Sequence, residues 1–216
     1  MAGYYTVQEG DYVSSIAKKF GFSDYRTVWN HPNNTELKAK RENPNVLFPG
    51  DRLFIPERTL GLESRATDSR HTFVARLPNL KLRLVLEDCY EKPIAGAPCI
   101  LQLGSETRHL KTDNIGRIDE TLSPDIHEAI LIIQDDQTAF SNLEIPVKIG
   151  NLHPVDQLSG QYARLNNLGY FAGEPGDSDD NVFRSAVEEF QCDHGLKVDG
   201  VCGRASQAKL KQVNGC

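Results

Sequence analysis

The two ends of the first 56 residues confine this part of the chain to a very small folded unit. Residues 4–7 are a predicted strand, and Arg52–Ile55 is a second one that Pro56 ends. Pro49 and Gly50 precede the second strand and suit the two central positions of a type II turn, because proline presets the first dihedral angle and glycine tolerates a positive φ. The two outer strands are predicted to pair in one sheet.

Helical material fills the space between these strands. Apolar residues recur at helical spacing after Asp11, which is a predicted N-cap, and Gly21 stands where a left-handed C-cap residue is expected; they are Val13, Ile16, Ala17 and Phe20. Pro32 should break any second helix, and Trp29 is predicted to pack in the core of that region.

These residues resemble the LysM family, small βααβ modules that bind glycans containing N-acetylglucosamine (GlcNAc), such as peptidoglycan and chitin. The segment 29–47 is longer than the usual second helix and loop, and in this it is similar to LysM modules of proteins associated with phage tails and contractile secretion machines. The resemblance implies a glycan site on two loops, formed by Gly10, Asp11, Tyr12 and Val13 and by Asn43, Pro44, Asn45, Val46 and Leu47. The alternatives are that Asp11 only caps a helix and that Leu47 is a core residue.

A change of pattern marks a second unit. Residues 58–70 are polar and non-periodic, which indicates a linker, whereas residues 80–86 alternate between leucines and cations as a half-buried strand does. Further short strands are predicted over residues 99–103, 107–111, 129–133 and 143–149, so a small β-sandwich is expected. The order of strands and turns resembles transthyretin-like or carboxypeptidase-regulatory-like domains, which implies a spacer or a docking surface.

Helical periodicity returns after residue 150. One apolar stripe runs from Val155 to Leu168 and ends at Gly169, a second includes Phe183 and Phe190, and residues 208–213 supply a short third helix. The segments 164–173, 186–191, 195–201 and 206–210 resemble, in that order, the family of small three-helix peptidoglycan-binding domains. We expect one of Tyr170 and Phe171 to be buried and the other to be able to stack on a sugar ring as a second wall-binding site.

Composition and charge exclude several classes of function. The net charge is −6 and no segment is strongly basic, which argues against nucleic acid as a partner. No apolar run is long enough for membrane insertion, and the start of the chain lacks the features of a secretory signal, so a cytoplasmic protein as synthesised is expected, with later export by a secretion apparatus left open.

The chemistry of an enzyme is also not indicated. The five cysteines and six histidines do not cluster at metal-ligand spacing, and no hydrolase motif is present, so no catalytic residue, metal or cofactor is predicted. Cys192 and His194 are close in sequence, but Cys192 is interpreted as a small apolar filler at the end of a helix.

The sequence therefore predicts a multidomain α+β protein. Its parts are a LysM domain (residues 1–57), a linker (58–70), a β-sandwich (71–150) and a three-helix peptidoglycan-binding domain (151–216). The predicted function is non-catalytic binding of peptidoglycan or other GlcNAc-containing glycans. The alternative is a structural adaptor of a type VI secretion or phage-tail-like apparatus that binds a spike or effector protein.

Overall fold

The computed structural model describes residues 2–58, 67–72, 80–88, 90, 92–134, 142–176 and 180–215. The described residues form a multidomain α+β protein with a separate apolar core in each of three modules. Most of the predicted linker lies outside these ranges. No helix within the described ranges is both long enough and apolar enough to span a bilayer.

The first module is closed by its own two ends. Strand β1 (Gly3–Thr6) pairs antiparallel with strand β2 (Arg52–Ile55), so that Gly3 lies opposite Ile55. Helices α1 (Val13–Lys19), α2 (Arg26–Trp29) and α3 (Thr35–Arg41) lie between them, and a 3₁₀ turn at Pro32–Asn34 separates the last two. The predicted sheet is confirmed, and β1 begins and ends one residue earlier than expected.

Turn chemistry explains where these elements stop. The Asp51 backbone N–H donates to the Phe48 carbonyl, and Gly50 has a φ of +95°, as the predicted type II turn requires. Helix α2 ends at Trp29, before Pro32, and the Trp29 ring is buried in the core of the module. Asp11 is not the N-cap of α1: that position is Tyr12, whose backbone N–H and carbonyl both bond the Ser15 hydroxyl.

A buried ion pair ties the end of α3 to the turn before β2. The Arg41 Nε donates to Asp51 Oδ2 at 2.6 Å, and its Nη2 donates to Oδ1 at 3.0 Å. Both side chains are at least 95% buried. Burial by itself raises the pKa of Asp51, but the hydrogen bonds from Arg41 and from the Phe48 backbone N–H outweigh it and lower that pKa below its ordinary value.

The second module consists of two antiparallel sheets around one core. Strand β3 (Leu80–Val85) pairs with β6 (Arg117–Leu122), while β4 (Pro98–Leu103), β5 (Glu106–Lys111), β7 (Glu128–Ile133) and β8 (Leu143–Lys148) form a sheet in the order β5-β4-β7-β8. Strand β6 was not among the strands whose residue ranges were predicted from the sequence. Its Asp119 lies beside Lys81 and Arg83 of β3, at 2.9 and 3.4 Å, which accounts for the cations that alternate with the leucines.

The third module packs helices α4 (Leu158–Asn167), α5 (Asp180–Asp193) and α6 (Arg204–Asn214) around Leu165, Phe190 and Leu210, one from each helix. Gly169 has a φ of +89° and follows α4, as predicted. The buried amide of Gln191 bonds Asp199, Val201 and Ser206 and so fixes the loop before α6. Cys192 is exposed, so its interpretation as a filler is wrong.

Loss of the buried ion pair should destabilise the first module. We expect Asp51→Asn to lower the free energy of unfolding by about 3–5 kcal/mol, because Arg41 stays buried without its counter-charge. Urea denaturation at pH 7 measures this. The matched control Asp68→Asn changes an exposed carboxylate and should stay within about 0.5 kcal/mol of the wild type; equal stabilities of the two variants would refute the structural role of the pair.

Candidate functional site

The two loops expected to hold a glycan lie side by side in the structure. The Val13 backbone N–H donates to the Pro44 carbonyl at 3.0 Å. The second loop turns back on itself, since the Val46 N–H donates to the Asn43 carbonyl and the Asn45 N–H to the Asn43 Oδ1. Their assignment to glycan stays a prediction, but the two segments are brought together.

The residues of the second loop differ in exposure. Asn45 is exposed, and Asn43 and Pro44 are half-buried. Val46 and Leu47 are buried, and Leu47 belongs to the core of the first module, together with Leu53. The alternative that Leu47 is a core residue is therefore confirmed.

Residues of the first loop make contacts with other parts of the protein. Gly10 lies against Gly150, where an added Cβ would come within 2.6 Å of both the Gly10 carbonyl oxygen and the Tyr12 Cδ1 atom. Asp11 accepts hydrogen bonds from the Tyr5 hydroxyl at 2.8 Å and from the Gln8 N–H at 2.9 Å. Asp11 therefore stabilises the turn that follows β1 rather than the start of α1.

Tyr12 is buried between the first and second modules. Its side chain is 1% exposed and packs with the core of the sandwich, and its hydroxyl donates to the Pro124 carbonyl at 2.8 Å. Burial raises the pKa of Tyr12 to about 12, and the nearby Asp125 carboxylate adds to the rise. A sugar ring can reach this side chain only if the two modules separate.

A surface ion pair accompanies this contact. The Lys18 ammonium lies 2.9 Å from Asp125 and 3.3 Å from the Ser123 hydroxyl. The hydrogen bonds from Ser123 and Lys18 lower the pKa of Asp125 to about 2. Because both charged side chains are largely exposed, the pair contributes at most about 1 kcal/mol.

A cavity of about 480 Å³ lies between the first and third modules. The first module contributes the end of α3 and the second loop, and the third module contributes the segment before α4 together with parts of α4 and α6. The lining residues are Lys40, Arg41, Glu42, Asn43, Pro44 and Val46, with Pro154, Val155, Asp156, Arg164 and Lys211. The second predicted glycan loop thus faces a space that two modules share.

Sequence reasoning did not identify Arg41, Arg164 or Lys211 as residues of a site. Arg164 is 1% exposed, and its Nη1 donates to the His153 carbonyl at 2.7 Å and to the Gly160 carbonyl at 2.8 Å. A Cβ at Gly160 would lie 2.1 Å from the Pro154 carbonyl oxygen, so the close approach of α4 to the segment before it requires glycine. Arg164 does not lie on the apolar stripe of its predicted helix, so the sequence pattern gave no signal of its burial.

The two rings of the second predicted wall-binding site differ in exposure: one is partly buried and the other is exposed. Tyr170 is half-buried, stacks edge-on against Phe190 and donates its hydroxyl to Asp193 at 3.0 Å. Phe171 is 80% exposed. Phe171 is therefore the ring of this pair that is available to a ligand.

Among the residues that the structure describes, no three His, Cys, Asp or Glu side chains come together as a metal site would require. The site features are therefore apolar, amide and charged groups around the cavity.

The Tyr12 contact should make stability depend on pH in the alkaline range. The folded-state pKa of about 12 exceeds the ordinary value of 10.0, so the stabilisation is complete below pH 10 and is lost as the pH rises towards 12. At pH 11 we expect a loss of about 1.4 kcal/mol relative to pH 9 from this group. Between pH 9 and pH 11, the free energy of unfolding of Tyr12→Phe should not show this decrease, whereas that of the exposed Tyr4→Phe should. Urea denaturation at both pH values measures this, and identical pH profiles for the two variants would contradict the assignment.

Comparison with family models gives two matches. Residues 5–56 match the LysM domain, and residues 163–210 match a family described as a putative peptidoglycan binding domain. The search of curated proteins returned no match, and neither did the search of solved structures. The chain therefore carries a LysM domain at its N-terminal end and a peptidoglycan-binding domain at its C-terminal end, and both support binding of peptidoglycan.

Proposed function

We propose that this protein is a non-catalytic peptidoglycan-binding protein whose terminal modules bind one glycan strand together. The observation that carries the proposal is the shared cavity, which Asn43, Pro44 and Val46 of the second loop line together with residues 154–156 of the third module. Two modules matched to wall-related families thus present one common surface.

The second loop offers groups suited to an N-acetyl sugar. Asn45 presents an exposed amide, and Pro44 and Val46 supply apolar surface at the wall of the cavity. Backbone and side-chain amides can bond the acetamido group, while apolar atoms cover its methyl group and the sugar face. Since Tyr12 and Val13 are buried, we assign the direct glycan contacts of the LysM module to this loop.

Phe171 supplies a separate contact on the third module. A ring that is 80% exposed on a small helical module is available to stack on a sugar. A polymer that engages both places gains affinity from the high effective concentration of the second contact, provided that its repeat fits the fixed spacing of the modules.

The alternative function is that of an adaptor in a type VI secretion or phage-tail-like apparatus, with a spike or effector protein as the partner. The observation in its favour is a group of exposed apolar side chains where β3 ends and β6 begins, namely Val85, Tyr90 and Ile115. Exposed apolar groups of this kind are used in protein contacts. Co-purification with a spike protein, together with no retention on sacculi, would favour this function.

Retention of the full chain on purified sacculi tests the proposed function. We expect Asn45→Ala to weaken retention about fivefold, because a hydrogen bond to a neutral group contributes about 1 kcal/mol. Asn114→Ala, in an exposed turn of the sandwich, is the matched control and should bind as the wild type does. Absence of wild-type binding would refute the proposal, and clearing of sacculi in a zymogram would refute its non-catalytic part.

The exposed ring of the third module provides an independent prediction. We expect Phe171→Ala to reduce the affinity for sacculi about fivefold through the loss of one stacking contact. Tyr90→Ala removes a ring that is 77% exposed on the sandwich and should leave binding unchanged. If the two variants bind equally, Phe171 makes no contact with the glycan.

A further inference from the structure

The cavity between the terminal modules has a local charge opposite to that of the whole chain. Four cationic and two acidic side chains line it: Lys40, Arg41, Arg164 and Lys211, with Glu42 and Asp156. The chain as a whole has a net charge of −6. The lining therefore favours an anionic ligand although the chain as a whole is acidic.

One of these cations has a buried donor without an acceptor. The Arg41 side chain is 2% exposed, and its Nε and Nη2 atoms are satisfied by Asp51. The Nη1 atom has no hydrogen-bond partner among the residues that the structure describes. A buried donor without an acceptor destabilises the folded protein, so a group that supplies an acceptor at this position removes that cost.

Asp156 stands at the place where such an acceptor is needed. Its Oδ1 lies 3.6 Å from Arg41 Nη1, which is too long for a hydrogen bond, and its side chain is 59% exposed. Asp156 therefore covers the guanidinium loosely and can turn outward into solvent. The carboxylate of a ligand can take its place at a shorter distance.

Two lysines beside Arg41 can also contact a ligand carboxylate. Lys211 pairs with Glu42 at 2.8 Å and Lys40 lies 3.5 Å from Asp51, and both ammonium groups are substantially exposed. The Lys211–Glu42 pair is exposed on both sides, so its exchange for a ligand carboxylate costs little. Asp51 is buried and stays bound to Arg41, so the exposed Lys40 ammonium can add a ligand carboxylate without giving up this partner. The two lysines extend from α3 and α6, on opposite sides of the cavity.

We propose that this cavity binds a carboxylate of peptidoglycan, with Arg41 Nη1, Lys40 and Lys211 as the donors. The proposal rests on the proposed function and adds to it the part of the polymer that is recognised. Peptidoglycan offers such a carboxylate on its stem peptide, or on the lactyl ether of N-acetylmuramic acid where the peptide has been removed. Both lie within one sugar of a GlcNAc unit, and Asn43, Pro44 and Val46 line the same cavity.

Titration of the full chain with three soluble ligands tests this proposal. The ligands are tri-N-acetylglucosamine, which has no carboxylate, the GlcNAc–N-acetylmuramic acid disaccharide, and the same disaccharide carrying a tetrapeptide. We expect at least one carboxylate-bearing ligand to bind about tenfold more tightly than the neutral trisaccharide, as a charge-assisted hydrogen bond provides. The disaccharide and the peptide-bearing ligand distinguish the lactyl carboxylate from that of the stem peptide.

Variants identify the cavity as the place of binding. Lys211→Gln should lower the affinity for the carboxylate-bearing ligand about fivefold and leave the affinity for the neutral trisaccharide unchanged. Asp156→Asn should raise the affinity for the carboxylate-bearing ligand, because it removes the competing carboxylate. Lys148→Gln, on an exposed position of β8, is the matched control for the loss of one positive charge. Circular dichroism of each variant verifies that it is folded.

The possible failures are distinguishable. If the three ligands bind equally, or if Lys211→Gln weakens them all alike, the carboxylate site is refuted while glycan binding stands. If the full chain binds neither the three ligands nor sacculi, the proposed function and this inference are both refuted. Unchanged affinity of the carboxylate-bearing ligand in both Lys211→Gln and Asp156→Asn would place its site outside the cavity and would also overturn the inference.

Discussion

The burial of the Tyr12 ring in the core of the sandwich is the contact on which the arrangement of the modules depends. An aromatic ring removed from water contributes on the order of 2 kcal/mol, more than the exposed Lys18–Asp125 pair beside it. The close approach of the Gly10 backbone requires glycine at position 150. Since the third module follows Gly150 directly, its first residues lie beside the LysM module, and the shared cavity results.

This arrangement changes how two weak sites can cooperate. Modules on a flexible linker sample many separations, and a second contact then gains from effective concentration over a broad range of ligand lengths. Here the buried Tyr12 side chain, with its hydrogen bond to the Pro124 carbonyl, holds the first two modules in one arrangement, and the third module follows directly. A rigid pair of sites gains more from a polymer whose repeat fits its spacing and nothing from one whose repeat does not.

Patterns of residues close together in sequence predicted the turns and the strand that local contacts determine. Gly50 and Gly169 have the positive φ expected of their turns, and Arg52–Ile55 was predicted without error. The range of strand β6 was not predicted because charged residues interrupt the alternation of its buried Ile118 and Leu122. The cavity could not be predicted for another reason. Its ion pair Glu42–Lys211 joins residues 169 positions apart, and no periodicity in the sequence indicates a contact over that separation. The role of Tyr12 was equally inaccessible, since an aromatic residue in a loop after a strand suits a ligand and a partner module alike.

The distinction between bulk charge and local charge resolves an apparent conflict in the sequence. A net charge of −6 argues against attraction of an acidic polymer, but charges more than about 8 Å apart are largely screened at physiological ionic strength. Affinity is therefore decided by the groups within contact of the ligand, and in the proposed site these would include the buried Arg41 guanidinium, which Asp51 holds in place. Because Asp51 fixes Arg41 before any ligand arrives, binding loses little side-chain entropy. In the proposed carboxylate site, selectivity for a carboxylate attached to a sugar would therefore depend on these oriented donors and not on the net charge of the chain.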